Sequence, residues 1–215
     1  MIILATDTSG AVCSVALNDG ETTLYECVAR AAKSHARLLT ELVRQCLSFA
    51  DISAREVDVY AAAVGPGSYT GLRIGVATVK GMAHALGKPA VGVGTMDAIG
   101  LTYGAFFPGQ ELYFALDSRP GEVYGAVFDG QTRGLAPYKT TELEAAIQGR
   151  VVVTDAPQKL PANARRVLHT LPLAPAVAGL AARGQVLPPV PVYLKPVFKT
   201  TPKNAGAIHG KQPLD

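Results

Sequence analysis

The clearest periodic signal lies in residues 34 to 50, where Leu38, Leu39, Leu42, Val43, Cys46, Leu47 and Ala50 recur at the i, i+3, i+4, i+7 spacing of an amphipathic helix, with Ser34 placed as its N-cap. Residues 57 to 64 read as a buried strand by length and composition. Residues 69 to 86 predict a second helix, closed by Gly87 and Pro89, and residues 90 to 93 a further strand. Strand alternating with helix means parallel pairing. The second helix has an unusual circumference. Thr70, Arg73, Ala77, Lys80 and His84 make one narrow polar-capable stripe, whereas Leu72, Ile74, Val76, Val79, Met82, Ala83 and Leu86 spread around the remainder. A helix apolar over most of its surface is expected to be covered on more than one side, either by the helix at 34 to 50 or by a second protein chain.

An internal repeat organises the rest. The segment MIILATDTSGAVCSVALNDG from Met1 lies without a gap over ELYFALDSRPGEVYGAVFDG from Glu111, and Ala5, Asp7, Ala16, Asp19 and Gly20 meet Ala115, Asp117, Ala126, Asp129 and Gly130. Chance would give about one or two identities in such a window, so duplication is the reading. Each copy is an apolar run ending in Asp, a small polar turn, a second β-rich run and then Asp-Gly, a strong hairpin signal. Three strands, then helices alternating with strands, repeated about Pro108-Gly109, predict an α/β protein: a duplicated ribonuclease-H-like fold, the architecture of the sugar kinase, Hsp70 and actin superfamily. Its lobes are expected at 1–108 and 109–199. The second copy looks trimmed, with a short helix at 142 to 148, a short strand at 151 to 153 and Pro-rich sequence beyond. Residues 200–215 have too few apolar groups to pack alone and are expected to be a flexible tail.

Composition narrows the function. Of 215 residues 48% are hydrophobic and 17% charged, the balance of a packed globular chain. Lys and Arg exceed Asp and Glu by 3, too small a surplus for tight nucleic-acid binding by this chain alone. Lys195, Lys199, Lys203 and Lys211 in the tail offer at most a weak, salt-sensitive contact. The first apolar run is too short for a signal-peptide core and no segment is long enough to span a membrane, so the expectation is a cytoplasmic protein without a membrane partner. Cys13, Cys27 and Cys46 are odd in number with no C-x-x-C spacing, which disfavours a disulfide framework or a cysteine zinc site. His35, His84, His169 and His209 form no H-x-x-x-H pair, so no metal site is expected.

Two motifs remain. Asp7-Thr8-Ser9-Gly10 and Asp117-Ser118-Arg119 occupy matching turns of the two copies, which in a duplicated fold of this kind face each other across a cleft; there they either hold phosphate or serve as ordinary tight turns. Gly65-Pro66-Gly67-Ser68-Tyr69-Thr70-Gly71-Leu72-Arg73-Ile74-Gly75 joins a strand to a helix but is neither a P-loop nor a nucleophile elbow. Ser68 reads as a helix cap. Gly71 and Gly75, with Ala77 and Gly81, are read as one side nearly free of side chains, suited to close packing rather than catalysis.

These residues carry a resemblance. Asp7-Thr8-Ser9, GPGSYTGLRIG at 65 to 75, Asp117-Ser118-Arg119 with Gly121-Glu122-Val123-Tyr124, and Pro191-Val192-Tyr193-Leu194 are similar to the bacterial TsaB (YeaZ) family over nearly the whole chain. The resemblance implies a non-catalytic partner of TsaD, which transfers threonylcarbamoyl to the adenosine beside the anticodon of tRNA, with TsaE as an ATPase joining the pair and tRNA reached only through the complex. It implies no catalytic residue here, no tightly bound cofactor, and ATP or ADP only at the joint interface. TsaD carries an H-x-x-x-H metal pair where this chain has Thr95 and Ile99, and the adenosine-binding glycine pair of nucleotide-binding relatives gives way to Thr154-Asp155-Ala156-Pro157. The helices at 34 to 50 and 69 to 86 are expected to dock the partner, and a second copy when the chain is isolated, through His35, Leu38, Leu39, Leu42, Cys46, Leu72, Val76, Val79 and Lys80. The alternatives are a nucleotide-dependent phosphotransferase using Asp7 or Asp117 and, disfavoured by the missing histidines, a metallopeptidase.

Overall fold

The computed structural model describes residues 1–30 and 35–194, so the expected cap Ser34, the tail lysines and the tail itself lie outside the described residues. The first half runs β1 (Ile3–Asp7), β2 (Val12–Asn18), β3 (Thr23–Arg30), α1 (His35–Ala50), β4 (Val59–Gly65), α2 (Tyr69–Leu86), β5 (Ala90–Gly94) and α3 (Thr95–Gly104). The second runs β6 (Leu112–Asp117), β7 (Glu122–Phe128), β8 (Thr132–Lys139), α4 (Leu143–Ile147), β9 (Val151–Thr154), β10 (Arg166–Leu168) and α5 (Ala174–Ala182). The duplication is visible in the sheets: one has the order β3-β2-β1-β4-β5 and the other β8-β7-β6-β9-β10. In both, the first three strands are antiparallel and the last two join in parallel. Gly20 and Gly130 close the matching hairpins at φ +104° and +102°, a backbone region that strongly favours glycine. Trimming of the second copy is also plain, because a 3-10 turn at Pro157–Lys159 stands where α2 stands in the first.

The helix α2 is capped by the Ser68 hydroxyl, which accepts from the Gly71 N–H, and is ended by Gly87 at φ +65°. Its apolar side chains do not wait for another chain. Leu39, Leu42, Val43 and Cys46 of α1 and Val76, Val79 and Ala83 of α2 join Leu4, Cys13, Val15, Leu17, Tyr60, Ala62 and Val64 in one cluster on a face of the first sheet. The expectation that Leu39, Leu42, Cys46, Leu72, Val76 and Val79 dock a partner is therefore corrected: each is at most 6% exposed and lies in this chain's interior. The sheet supplies enough apolar surface to bury both helices at roughly 25 cal/mol per Å² removed from water. What faces outward on α2 is Thr70, Arg73, Ala77, Lys80, Gly81, His84 and Ala85. The small-residue side splits accordingly, with Gly71 and Gly75 buried and Ala77 and Gly81 exposed on the opposite side.

The expected lobe boundary also needs correction. Between the sheets lie α3 and α5, and they cross over. Although α5 follows the second sheet in sequence, it packs on β1, β2 and β4 of the first. Leu173, Ala176, Val177 and Leu180 share a cluster with Ile3, Ala5, Ala61 and Ala63, and the Ala174 N–H donates to Ser14 Oγ at 3.1 Å. Conversely α3, from the first half, brings Gly100 and Gly104 against the Phe128 ring of β7. The segment after α5 returns to the first sheet as well, where Leu187 bridges Gly92 and the Val192 N–H donates to the Val64 carbonyl at 2.7 Å. Residues 174 to 192 thus belong by packing to the first lobe, not to a lobe spanning 109–199. The reason is compositional: APAVAGLAA is apolar all round and needs cover on every side.

Candidate functional site

The two repeat turns do meet. A cleft of about 590 Å³ is lined by Ser9, Gly10, Gly67, Ser68 and Tyr69 from the first copy and by Asp117, Ser118, Arg119, Tyr124, Asp155 and His169 from the second. His35, expected at a partner surface, lies on its wall, with Nε2 3.0 Å from the Gly10 carbonyl oxygen. Asp7 and Thr8 are turned inward instead. The buried Asp7 carboxylate accepts from the Ser9 N–H at 2.9 Å, and the Thr8 hydroxyl donates to the Gly71 carbonyl at 2.7 Å. Burial raises the Asp7 carboxyl above its ordinary range, opposed by the bonds from Ser9 and by His35.

The GPGSYTGLRIG segment explains why the first turn is closed. The Ser68 N–H donates to the Ser9 carbonyl at 2.7 Å, and side chains at Gly67 or Gly71 would run into the backbone of Ser9 or Thr8. Its glycines let the start of α2 press onto the turn after β1. In the second copy the same closure comes from Lys159, which the sequence reading missed. Its ammonium pairs with the Asp117 carboxylate and donates to the Arg119 and Glu122 carbonyls, each at 2.8 Å. The Asp117 N–H donates to Asp155 Oδ1 at 2.6 Å, and burial raises the Asp155 carboxyl. A phosphate cradle needs several backbone N–H groups pointing into the cleft. Here those of Ser9, Ser68 and Asp117 are already engaged, by the Asp7 carboxylate, the Ser9 carbonyl and the Asp155 carboxylate. The Ser118 hydroxyl is buried without a partner among the described residues.

Tyr103, at the end of α3, ties the cleft floor to the first lobe. Its hydroxyl accepts from the Thr170 and Leu171 N–H groups at 3.0 and 3.2 Å and lies 3.2 Å from His169 Nδ1. Burial pushes the His169 imidazole down to about 4. The unfolded chain, with its histidine near 6.5, then binds more protons between pH 6.5 and 4, so this group's stabilisation is complete above pH 6.5 and is lost as pH falls toward 4. At about 1.36 kcal/mol per unit and allowing for partial exposure, the loss is of order 2 kcal/mol. Asp7 and Asp155, raised in the fold, work in the opposite direction, so the measurement is a comparison. Urea midpoints at pH 7 and 4.5 should fall more for the parent than for His169→Asn; equal pH slopes would count against a neutral, buried imidazole.

Neither position aligned with a metal pair offers a ligand. Thr95 and Ile99 are fully buried, and the Thr95 hydroxyl accepts from the Gly65 N–H at 3.1 Å. Among the described residues no three His, Cys, Asp or Glu are grouped to hold a metal ion, and no helix is long and apolar enough to cross a membrane.

Comparison with known proteins bears on this arrangement directly. Residues 29–170 match a family model described as TsaD: tRNA N6-adenosine threonylcarbamoyltransferase. The Escherichia coli tRNA threonylcarbamoyladenosine biosynthesis protein TsaB is 32% identical over 155 residues, 71% of this chain and 64% of that protein. Its Bacillus subtilis counterpart is 31% identical over 153 residues, 71% of this chain and 62% of that protein. YeaZ from Pseudomonas aeruginosa superposes with a TM-score of 0.76 at 27% identity, covering 90% of this chain and 99% of that one. The chain belongs to the TsaB (YeaZ) family. It spans less than two thirds of these two TsaB sequences, and 38% of a Mycobacterium leprae protein to which it is 38% identical over 141 residues. The motif at 65 to 75 thus has a structural task in this TsaB-family chain, as the clamp on the turn after β1.

Proposed function

We propose that this chain is the non-catalytic subunit of the assembly that places threonylcarbamoyl on the adenosine beside the anticodon of tRNA. It pairs with a TsaD subunit, TsaE joins that pair, and ATP or ADP is held only where subunits meet. The observation that carries this reading is the closed state of both cleft turns, with Asp7 buried and Asp117 paired to Lys159, in a fold whose relatives are TsaB proteins. The docking surface is the outer side of α1 and α2. There Ala77 and Gly81 permit close approach, and Arg73, Lys80 and His84, with no acidic residue anywhere on α2, favour an acidic partner helix.

The test is reconstitution with TsaD and tRNA. Threonylcarbamoyl transfer is expected to require both chains, and Ala77→Asp should abolish pairing while the fold survives. Nucleotide turnover by the isolated chain, unchanged by TsaD and lost on Asp117→Asn, would favour a phosphotransferase instead.

A further inference from the structure

Two thiols meet where α1 crosses the border of the first sheet. Cys27 belongs to β3, the edge strand, and Cys46 to α1, which packs against both β2 and β3. Tyr25, Cys27 and Ala29 alternate onto one side of β3, and Cys27 and Ala29 lie against the apolar cluster that holds Cys46. The Cys46 thiol donates to the Tyr25 carbonyl at 3.7 Å, and the Cys27 thiol is within hydrogen-bonding reach of the same sulfur. The third cysteine, Cys13, is fully buried on β2 and stands opposite Ala29.

The members of the pair are unequal. Cys27 is half-buried, whereas Cys46 is fully buried. Burial, helped by the neighbouring Cys27, pushes the Cys46 thiol up to about 12, so at neutral pH it keeps its proton and is a poor first target for an oxidant. An oxidant arriving from solvent reaches Cys27 first, and the Cys46 sulfur stands beside whatever forms there. One accessible thiol next to a second that can resolve it is the arrangement a reversible oxidation requires.

We propose that Cys27 and Cys46 form a redox-reactive dithiol site, at which peroxide oxidation fastens α1 to the edge strand β3 through a reversible disulfide. The Cys27 sulfur attacks one peroxide oxygen and the O–O bond breaks. The departing hydroxide takes the Cys27 proton and leaves as water, and Cys27 becomes a sulfenic acid. The Cys46 sulfur then attacks the Cys27 sulfur, the S–O bond breaks, and the hydroxide expelled takes the Cys46 proton to leave as a second water. Two thiols give up two electrons and two protons, and one peroxide is reduced to two waters. The new bond closes a loop of about twenty residues, which restricts the denatured chain.

The test is to treat the reduced full chain with millimolar hydrogen peroxide, count free thiols in denaturant and map the linkage with a protease that cuts after glutamate, since Glu21 and Glu26 separate Cys13 from Cys27. Free thiols are expected to fall from three to one, with Cys13 the survivor, Cys27 joined to Cys46, and all three restored by dithiothreitol. The oxidised chain should melt roughly 4–12 °C above the reduced one. In Cys46→Ala, dimedone should trap Cys27 as the sulfenic acid. Three thiols surviving the treatment would overturn the proposal. So would a linkage through Cys13, a disulfide between two chains in place of the internal one, or an oxidised chain that melts no higher than the reduced one.

Discussion

Val76→Asp is expected to leave no folded protein at 37 °C. Val76 is 4% exposed, and the neighbouring side chains of its cluster, among them Leu39, Val43, Cys13 and Val15, offer no counter-charge. The change forfeits roughly 1.5–3 kcal/mol of apolar burial and adds several kcal/mol for an unpaired buried carboxylate. Against a total stability of about 5–15 kcal/mol, that is most or all of it. Leu39→Asp should behave alike. One residue further on, Ala77 faces solvent, and Ala77→Asp should melt like the parent while losing subunit pairing. Circular dichroism melting beside a TsaD pull-down separates the two effects. A Val76→Asp protein with a normal melt and a lost partner would put Val76 on the surface and refute its placement here.

Gly71→Ala should cost about 3 kcal/mol, at the upper end of ordinary overpacking, because a Cβ there would collide with the Thr8 carbonyl, a backbone atom fixed by β1. Gly75→Ala should cost less, since the atom met first is the Thr8 hydroxyl, 2.5 Å away at the end of a side chain. Gly81 on the exposed side has nothing within 4 Å of a Cβ, so Gly81→Ala should gain up to about 1 kcal/mol of helix propensity. For a chain of this size the melting temperature should drop by roughly 6–12 °C in the first case and rise by roughly 2–4 °C in the last. A Gly71→Ala protein as stable as the parent but inactive with TsaD would assign the glycine a role other than packing.

Apart from β10, the strands and the first two helices are legible because their signals are local. Asp-Gly hairpins, short apolar β-rich runs and the cap at Ser68 each lie within a few residues, and α2 occupies the very span 69 to 86 that its pattern predicts. What could not be read locally was which surface each side chain would meet. The apolar girth of α2 is the same whether a sheet or a partner covers it, so the pattern points Leu72 and Val79 to an interface that these fully buried side chains do not reach. The helix α5 is hidden in Pro-rich sequence, where Pro172 and Pro175 flag a loop although Pro175 is tolerated in the first turn of a helix. Lys159 escaped because its importance rests on two carbonyls and a carboxylate about forty residues away in sequence. Charge spacing alone carries no trace of that.

The return of α5 to the first sheet sets an order of events during synthesis. Residues of β1 and β2 leave the ribosome well before α5, yet the far side of their sheet is closed by that helix, whose first N–H bonds Ser14 across 160 residues. At about 5–20 residues per second, Ile3, Ala5 and Ala61 wait roughly 6–35 seconds for Val177 and Leu180. Throughout that interval the nascent first half presents an open apolar face, and it becomes a finished body only when the second half has been made.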